Sequence, residues 1–241
     1  MPGELPHNHK PMEVIYEDNH IIVVNKSPGE IVQGDKTGDE PLSDIVKRYL
    51  KEKYAKPSNV YLGVVHRLDR PVSGLVLFAR TSKALPRLNR MFSTHEQVSK
   101  TYLAIVTARP QADEGTLTHW LTRNEKTNTA RAYTREVPGS KKAVLDYRLI
   151  GCSDRYFLLA VQLHTGRHHQ IRCQLAAMGC PIKGDLKYGA PRSNPDGSIS
   201  LHAYRLRLEH PVTHQVLEFK APLPADRLWQ AFASAASTVS P

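Results

Sequence analysis

The chain has 241 residues, of which 40% are hydrophobic and spread along its length, so one sizeable packed domain is within reach and extensive disorder is excluded. Lys and Arg number 33 against 23 Asp and Glu, and the resulting net charge of +10 favours a polyanionic partner, nucleic acid ahead of acidic membrane. No apolar run approaches the roughly 18 residues needed to cross a bilayer. Residues 1–10 are too polar for a signal peptide, and Cys152, Cys173 and Cys180 are too few for a disulfide framework. The expectation is a soluble, cytoplasmic, monomeric protein.

In chain order, residues 1–11 read as a loose arm. Val14–Tyr16 and Ile21–Asn25 are short β-rich runs joined by the turn-prone Glu17-Asp18-Asn19. Leu42, Ile45, Val46, Tyr49 and Leu50 repeat at helical spacing behind Pro41, which suits a first turn. Leu75–Phe78 is a buried-strand run. Leu85, Leu88, Met91 and Phe92 mark one face of a second helix, with Lys83, Arg87 and Arg90 on its other side. Tyr102–Val106, Val144–Ile150 and Tyr156–Leu163 read as strands. Thr165-Gly166 opens a helix through Ile171, Leu175 and Ala176 that Gly179 ends. Residues 188–200 form a loop, Tyr204–Leu208 and Val216–Phe219 are strands, and Leu228–Phe232 is a last short helix. Helices and strands do not alternate, which predicts an α+β fold with a largely antiparallel, mixed sheet flanked by helices and loops. One domain over residues 12–234 is expected, followed by a tail, 235–241.

Two constellations stand out. In Val65-His66-Arg67-Leu68-Asp69-Arg70-Pro71-Val72-Ser73-Gly74 a carboxylate sits between two arginines, just ahead of a buried strand. Flanking cations favour the ionised form of Asp69, which suits a nucleophile or an electrostatic anchor, and equally a surface Asp–Arg pair at a turn. In His164-Thr165-Gly166-Arg167-His168-His169-Gln170-Ile171-Arg172 the basic side chains make an RNA-facing edge, with Arg172 one helical turn from His168 and His169. A metal site there is disfavoured: adjacent histidines diverge on a helix, no carboxylate lies in the run, and neighbouring cations oppose an ion. Cys173 and Cys180 lack the spacing of a zinc deaminase. Tyr102, in Ser99-Lys100-Thr101-Tyr102, suits sheet packing, and Asp185 suits a turn.

These segments, in this order, resemble the RluA-type pseudouridine synthase family. The family carries Lys-Pro-x-Gly, then His-Arg-Leu-Asp with x-x-Thr-Ser-Gly, Lys-x-Tyr-x-Ala, Gly-Arg-x-His-Gln-Ile/Leu-Arg, a Gly-Asp-x-x-Tyr-Gly turn and a late Leu-His-Ala, matched here by Leu201-His202-Ala203. The likeness spans residues 12–224. It implies that uridines in structured RNA, ribosomal or transfer, are isomerised to pseudouridine without cofactor or metal. It further implies that Asp69 is the catalytic carboxylate, Tyr102 the active-site tyrosine and Arg172 the partner of Asp69, while Arg67 helps displace the target base. Its neighbours His66, Arg70, Arg167, His168 and Gln170 are assigned to substrate binding. The sequence departs from the pattern at Val72, where the family has Thr, and at Lys26-Ser27-Pro28, so no role is carried onto Lys26. The chain is also expected to lack the small N-terminal RNA-binding domain of many relatives. An idle RNA-binding module on the same scaffold would have no need of Asp69, Tyr102 and Arg172 together.

Overall fold

A computed structural model describes residues 12–239. Its first hairpin pairs β1 (Glu13–Glu17) with β2 (Ile21–Lys26) around a turn in which Asp18 Oδ1 accepts from the His20 and Ile21 amides at 2.7 and 2.9 Å. Helix α1 (Leu42–Lys53) starts after Pro41 and buries Leu42, Val46 and Leu50. A two-residue β3 (Gly63–Val64) precedes β4 (Ser73–Ala79), every residue of which is buried. Helix α2 (Ala84–Thr94) takes Pro86 in its first turn, where no intrahelical donor is lost. There follow β5 (Val98–Val106), β6 (Glu114–Asn124), β7 (Thr129–Tyr133), β8 (Lys141–Cys152) and β9 (Phe157–Leu163). Helix α3 (Gln170–Ala177), a 3-10 turn at Leu186–Tyr188, β10 (Leu201–Glu209), β11 (Val216–Lys220), α4 (Arg227–Ala231) and α5 (Ala233–Ser237) complete the described chain.

All the strands join one sheet in the order β1-β2-β4-β10-β5-β9-β8-β6-β7, with β11 beside β10 and β3 beside β4. Every pairing is antiparallel except β4 with β10. The expected mixed, mainly antiparallel α+β architecture is what the chain forms. Strand alternation serves both faces. Ile22, Val24, Val76 and Phe78 join the core under α1 and α3, while Ile21, Val23, Leu75 and Leu77 pack with Leu88 and Phe92 of α2.

The sequence reading departs from the structure in three places. The hairpin of β6 and β7 was not expected: its strands alternate exposed and half-buried residues and carry Thr, His and Arg in place of an apolar run. Helix α3 starts at Gln170, five residues later than Thr165, because the preceding His169 takes a left-handed conformation (φ 51°). His168 and His169 therefore do not share a helix face with Arg172. Finally, residues 235–239 are no free tail, since Ala236 and Val239 are buried with Leu103, Ile105, Trp229 and Phe232. The expected arm, residues 1–11, lies outside the described residues, as do 240 and 241.

The parallel seam pairs His202 with Ser73 and Ala203 with Gly74. Gly74 has φ 114°, and a Cβ there would collide with the Ala203 backbone. Ser73 Oγ and His202 Nδ1 hydrogen bond at 2.8 Å in the same buried step. Gly74→Ala should lower stability by more than about 2 kcal/mol, from backbone strain and collision together, measured as a shift of the urea midpoint at unchanged slope.

Candidate active site

Adjacent strands bring four segments to one pocket. The loop ahead of β4 carries Asp69, β5 carries Tyr102, and the turn after β9 leads through Arg167 into α3 and Arg172. Arg67, Asp69, Tyr102, Arg167, His169 and Arg172 line a pocket with about 410 Å³ of empty space. Asp69 is the one carboxylate among its described lining residues.

The Asp69 loop is fixed from several sides. Leu68 and Val72 are buried on either side of the turn, and the Val72 amide donates to the Asp69 carbonyl at 3.0 Å. The Gly29 amide donates to Arg70 O, and Ile199 N to Pro71 O. Lys26, 1% exposed, runs under the loop, where its Nζ donates to Ser27 O, Arg70 O and Val72 O at 2.9, 3.0 and 2.6 Å. A buried ammonium is tolerated here because all three donors are used. Desolvation still pulls its pKa down to about 8, against opposing attraction from Glu30 and Asp69.

Asp69 keeps a side chain 28% exposed, and its Oδ2 accepts from Arg172 Nη1 at 2.9 Å. The flanking arginines do not supply that partner. Arg70 is exposed and reaches Asp39 at 2.5 Å and Thr37 at 2.9 Å, while Arg67 is exposed at the pocket rim. Arg172 is buried, and its Nε and Nη2 make a fork onto Asp185 at 2.7 and 2.8 Å. Burial works against the guanidinium, but Asp185 and Asp69 outweigh it and hold the group more basic than a free arginine. Asp185, 1% exposed, is thus the buried counterion of Arg172, and its carboxylate makes no cap to the 3-10 turn that follows it.

His169 closes the other side of Asp69, with Nε2 3.5 Å from Oδ2. Burial keeps its pKa at about 3, so the imidazole is neutral and the contact is polar without being an ion pair. Tyr188 Oη accepts from the Ala130 amide at 2.7 Å and lies 2.8 Å from His169 Nδ1. The Asp69 carboxylate facing Nε2 can only accept, which places the His169 proton on Nε2 and leaves Nδ1 to accept from the phenol. The phenol stays protonated, its pKa pushed up to about 12 chiefly by burial. Tyr188 also lies edge-on to His169 and under the Arg172 guanidinium at 5.1 Å.

Tyr102 lines the pocket, and its hydroxyl makes no hydrogen bond among the described residues. Burial, then the charge of Asp69, hold it protonated well beyond the usual phenol range.

The remaining expected contacts differ in what they offer. Gln170 is spent internally: Oε1 accepts from Thr165 Oγ1 and the Arg167 amide at 2.8 and 2.9 Å, and Nε2 donates to Val144 O at 3.1 Å. Arg167 lines the pocket with Nε bonded to Lys142 O at 3.0 Å. His66 is outside the lining: its Nε2 accepts from the Leu77 amide at 3.0 Å and its ring stacks on Phe92. His168 stacks on His169 with centroids 3.8 Å apart, and its Nε2 is buried without a partner. The two histidines do not diverge, because they lie in a turn and not on a helix.

Asp69, His168 and His169 thereby bring three potential ligand atoms within 4.8 Å of one another. The donor set does not favour a metal, since Asp69 Oδ2 is engaged by Arg172, and Arg123, Arg172 and Lys187 all disfavour positive charge at His168.

A family model described as RNA pseudouridylate synthase matches residues 20–177. An uncharacterised RNA pseudouridine synthase of Chlorobaculum parvum is 34% identical over 238 residues, covering 90% of this chain and 72% of the relative. The ribosomal large subunit pseudouridine synthase D of Vibrio cholerae is also 34% identical, over 90% of this chain and 68% of its own. The tRNA pseudouridine synthase C of the same organism is 30% identical over 92% and 95%. Human RNA pseudouridylate synthase domain containing 4 superposes with a TM-score of 0.74 over 95% of this chain at 23% identity, a match of fold.

A family match over residues 20–177, with relatives at least 30% identical over most of both chains, defines the class as pseudouridine synthase. The chain belongs to the RNA pseudouridine synthase family, whose members are isomerases.

Asp185→Asn should leave the buried Arg172 guanidinium with only Asp69 and cost about 3 kcal/mol of stability, measured by urea unfolding. Lys26→Met gives a pH-dependent signature. The Lys26 pKa is about 8 folded against an ordinary 10.5, so the unfolded chain holds that proton longer and stability rises with pH between those values. The variant should lose part of that rise, measured as urea midpoints from pH 7.5 to 10.5; an unchanged slope would refute the assignment.

Proposed function

We propose that this chain converts uridine to pseudouridine in structured RNA, ribosomal or transfer, with Asp69, Tyr102 and Arg172 as the reacting centre. The observation that carries the reading is the half-exposed Asp69 carboxylate, held by a buried arginine that is itself neutralised by Asp185. The relatives named for ribosomal and transfer RNA are both about as similar to it, so the substrate class is RNA with either origin.

The reaction breaks the C1′–N1 bond of uridine, turns the uracil and joins C1′ to C5. The proton on C5 leaves and N1 gains one, so nothing is oxidised and no atom is lost. No cofactor or metal is needed for that balance. Asp69 provides the anionic oxygen in the pocket, and Arg172 keeps it ionised and aimed without reorganisation during the reaction. Tyr102, kept neutral, offers a ring face to the uracil. The target base must leave its stack, at a cost of a few kcal/mol, and Arg67 at the rim fills the vacated space. Arg70, Arg167 and His168 contact the RNA around the mouth. His66 and Gln170 act indirectly, by holding the β4 edge and the turn before α3. The enzyme works as a cytoplasmic monomer.

Asp69→Asn should abolish tritium release from RNA transcribed with 5-tritiated uridine while RNA binding stays within about twofold of the parent. Release at the parental rate would overturn the assignment. Pseudouridine mapping in cells with and without the gene identifies the RNA.

A further inference from the structure

Lys100 is 9% exposed, yet it lacks the satisfaction that Lys26 enjoys. Its Nζ has one polar neighbour among the described residues, His95 Nδ1 at 3.4 Å, and lies 5.4 Å over the Phe92 ring. No carboxylate pairs with it among the described residues. Burial alone pulls its pKa down to about 8, with no counterion opposing the shift. An unneutralised buried ammonium is costly, and a bound anion that supplied the missing charge would relieve that cost.

The surroundings fit an anion. Lys100 lies two residues before Tyr102 on β5, on the same face and about 7 Å along the strand, so it adjoins the uridine pocket. Gly166 borders the ammonium: a Cβ there would sit 3.5 Å from His95 Cε1 and 3.7 Å from Lys100 Nζ, so the Gly166 backbone lies against both groups. The next residue, Arg167, lines the uridine pocket. His95 is held in a left-handed conformation (φ 59°) directly after α2. Burial, then Lys100, Arg167 and His164, hold its pKa at about 4. The neutral ring accepts from Lys100 at Nδ1, which leaves Nε2–H as a free donor.

We propose that Lys100, His95, Gly166 and Arg167 form a socket for one phosphodiester of the RNA backbone beside the flipped uridine. This rests on the RNA reading of the neighbouring pocket. A singly charged phosphodiester neutralises Lys100 and accepts from His95 and Arg167, while a cation is repelled. Lys100 and Tyr102 share β5, so the backbone contact and the ring beside the flipped base are positioned by one strand.

The test uses the full chain and a fluorescein-labelled nine-residue oligouridylate, with affinity read by anisotropy from 50 to 300 mM KCl. Lys100→Gln should weaken binding about tenfold at 100 mM KCl, the loss of one charge-assisted contact. It should also reduce the slope of log K against log salt by about 0.7, one phosphate on a single strand. Lys100→Arg should restore both, and Lys51→Gln, removing a charge on the exposed side of α1, should change neither. A second arm compares melting temperatures in phosphate and in chloride at equal ionic strength. Phosphate should raise the parent's melting temperature by more than that of Lys100→Gln, its general salting effect being common to both; melting in chloride no lower than the parent's shows the variant folded. Unchanged oligouridylate affinity and slope would overturn the proposal. So would a reduced phosphate shift with intact oligouridylate binding, which assigns the socket to a free anion. Neither arm involves turnover, and Asp69→Asn protein should show the same slope difference, so failure of the isomerase reading is scored separately.

Discussion

The site depends on the division of one guanidinium between two carboxylates. Arg172 gives its fork to Asp185, which is fully buried, and one further N–H to Asp69, which is not. Arg172 and Asp185 cancel in a dry environment, so the donor facing Asp69 is fixed before substrate arrives. A lone arginine reaching Asp69 from the surface would have to be ordered at each turnover, and water would screen it. Tyr188 reinforces the arrangement from beneath: it hydrogen bonds His169 Nδ1, lies under Arg172 and ties both to β7 through the Ala130 amide.

That division requires segments far apart in sequence to meet, and the sheet order explains how they do. Strands β4, β10, β5 and β9 are consecutive neighbours, so the loop before β4, the side chains of β5 and the turn after β9 open onto the same cleft. The parallel step between β4 and β10 is where the register is set. Gly74 against Ala203 and Ser73 against His202 leave no freedom to slide, and Lys26 fixes the Asp69 loop immediately before that step. Two of the motif fragments with no chemistry of their own, Ser73-Gly74 and Leu201-His202-Ala203, are the two sides of this contact.

Much of this was legible in the sequence where a residue's neighbours along the chain decide its state. Short β-rich, apolar runs marked β2 and β4, and period-3.6 runs marked α1 and α2, because a strand buried on both faces is apolar throughout while a helix buries one stripe. The order of the motifs pointed to Asp69, Tyr102 and Arg172. What neighbours along the chain could not give was pairing over distance. By its immediate neighbours Asp69 looked served by Arg67 and Arg70; only the family resemblance named Arg172, 103 positions away, as its partner, and Arg70 belongs to Asp39. Thr165 looked like a helix start, but its hydroxyl is taken by Gln170 and Val144, so the chain stays irregular until His169 turns it. The hairpin of β6 and β7 escaped because its residues are polar on one side and only half-buried on the other. Its signal was the alternation of Leu117, His119 and Leu121 between threonines.

Lys26 and Lys100 show why burial alone does not define a role. Both are at least nine-tenths buried, and desolvation brings both to a pKa of about 8. Lys26 spends its three donors on three carbonyls of the loop it supports, so its environment is complete and its role is architectural. Lys100 faces a neutral imidazole, an aromatic ring and the backbone of Gly166, so its environment is short of one negative charge. The two lysines flank the same cleft, one beneath the Asp69 loop and one beside Tyr102. A substrate that places a base over Asp69 and its backbone against Lys100 meets a prepared cation at each end, the first already satisfied by protein and the second waiting for phosphate.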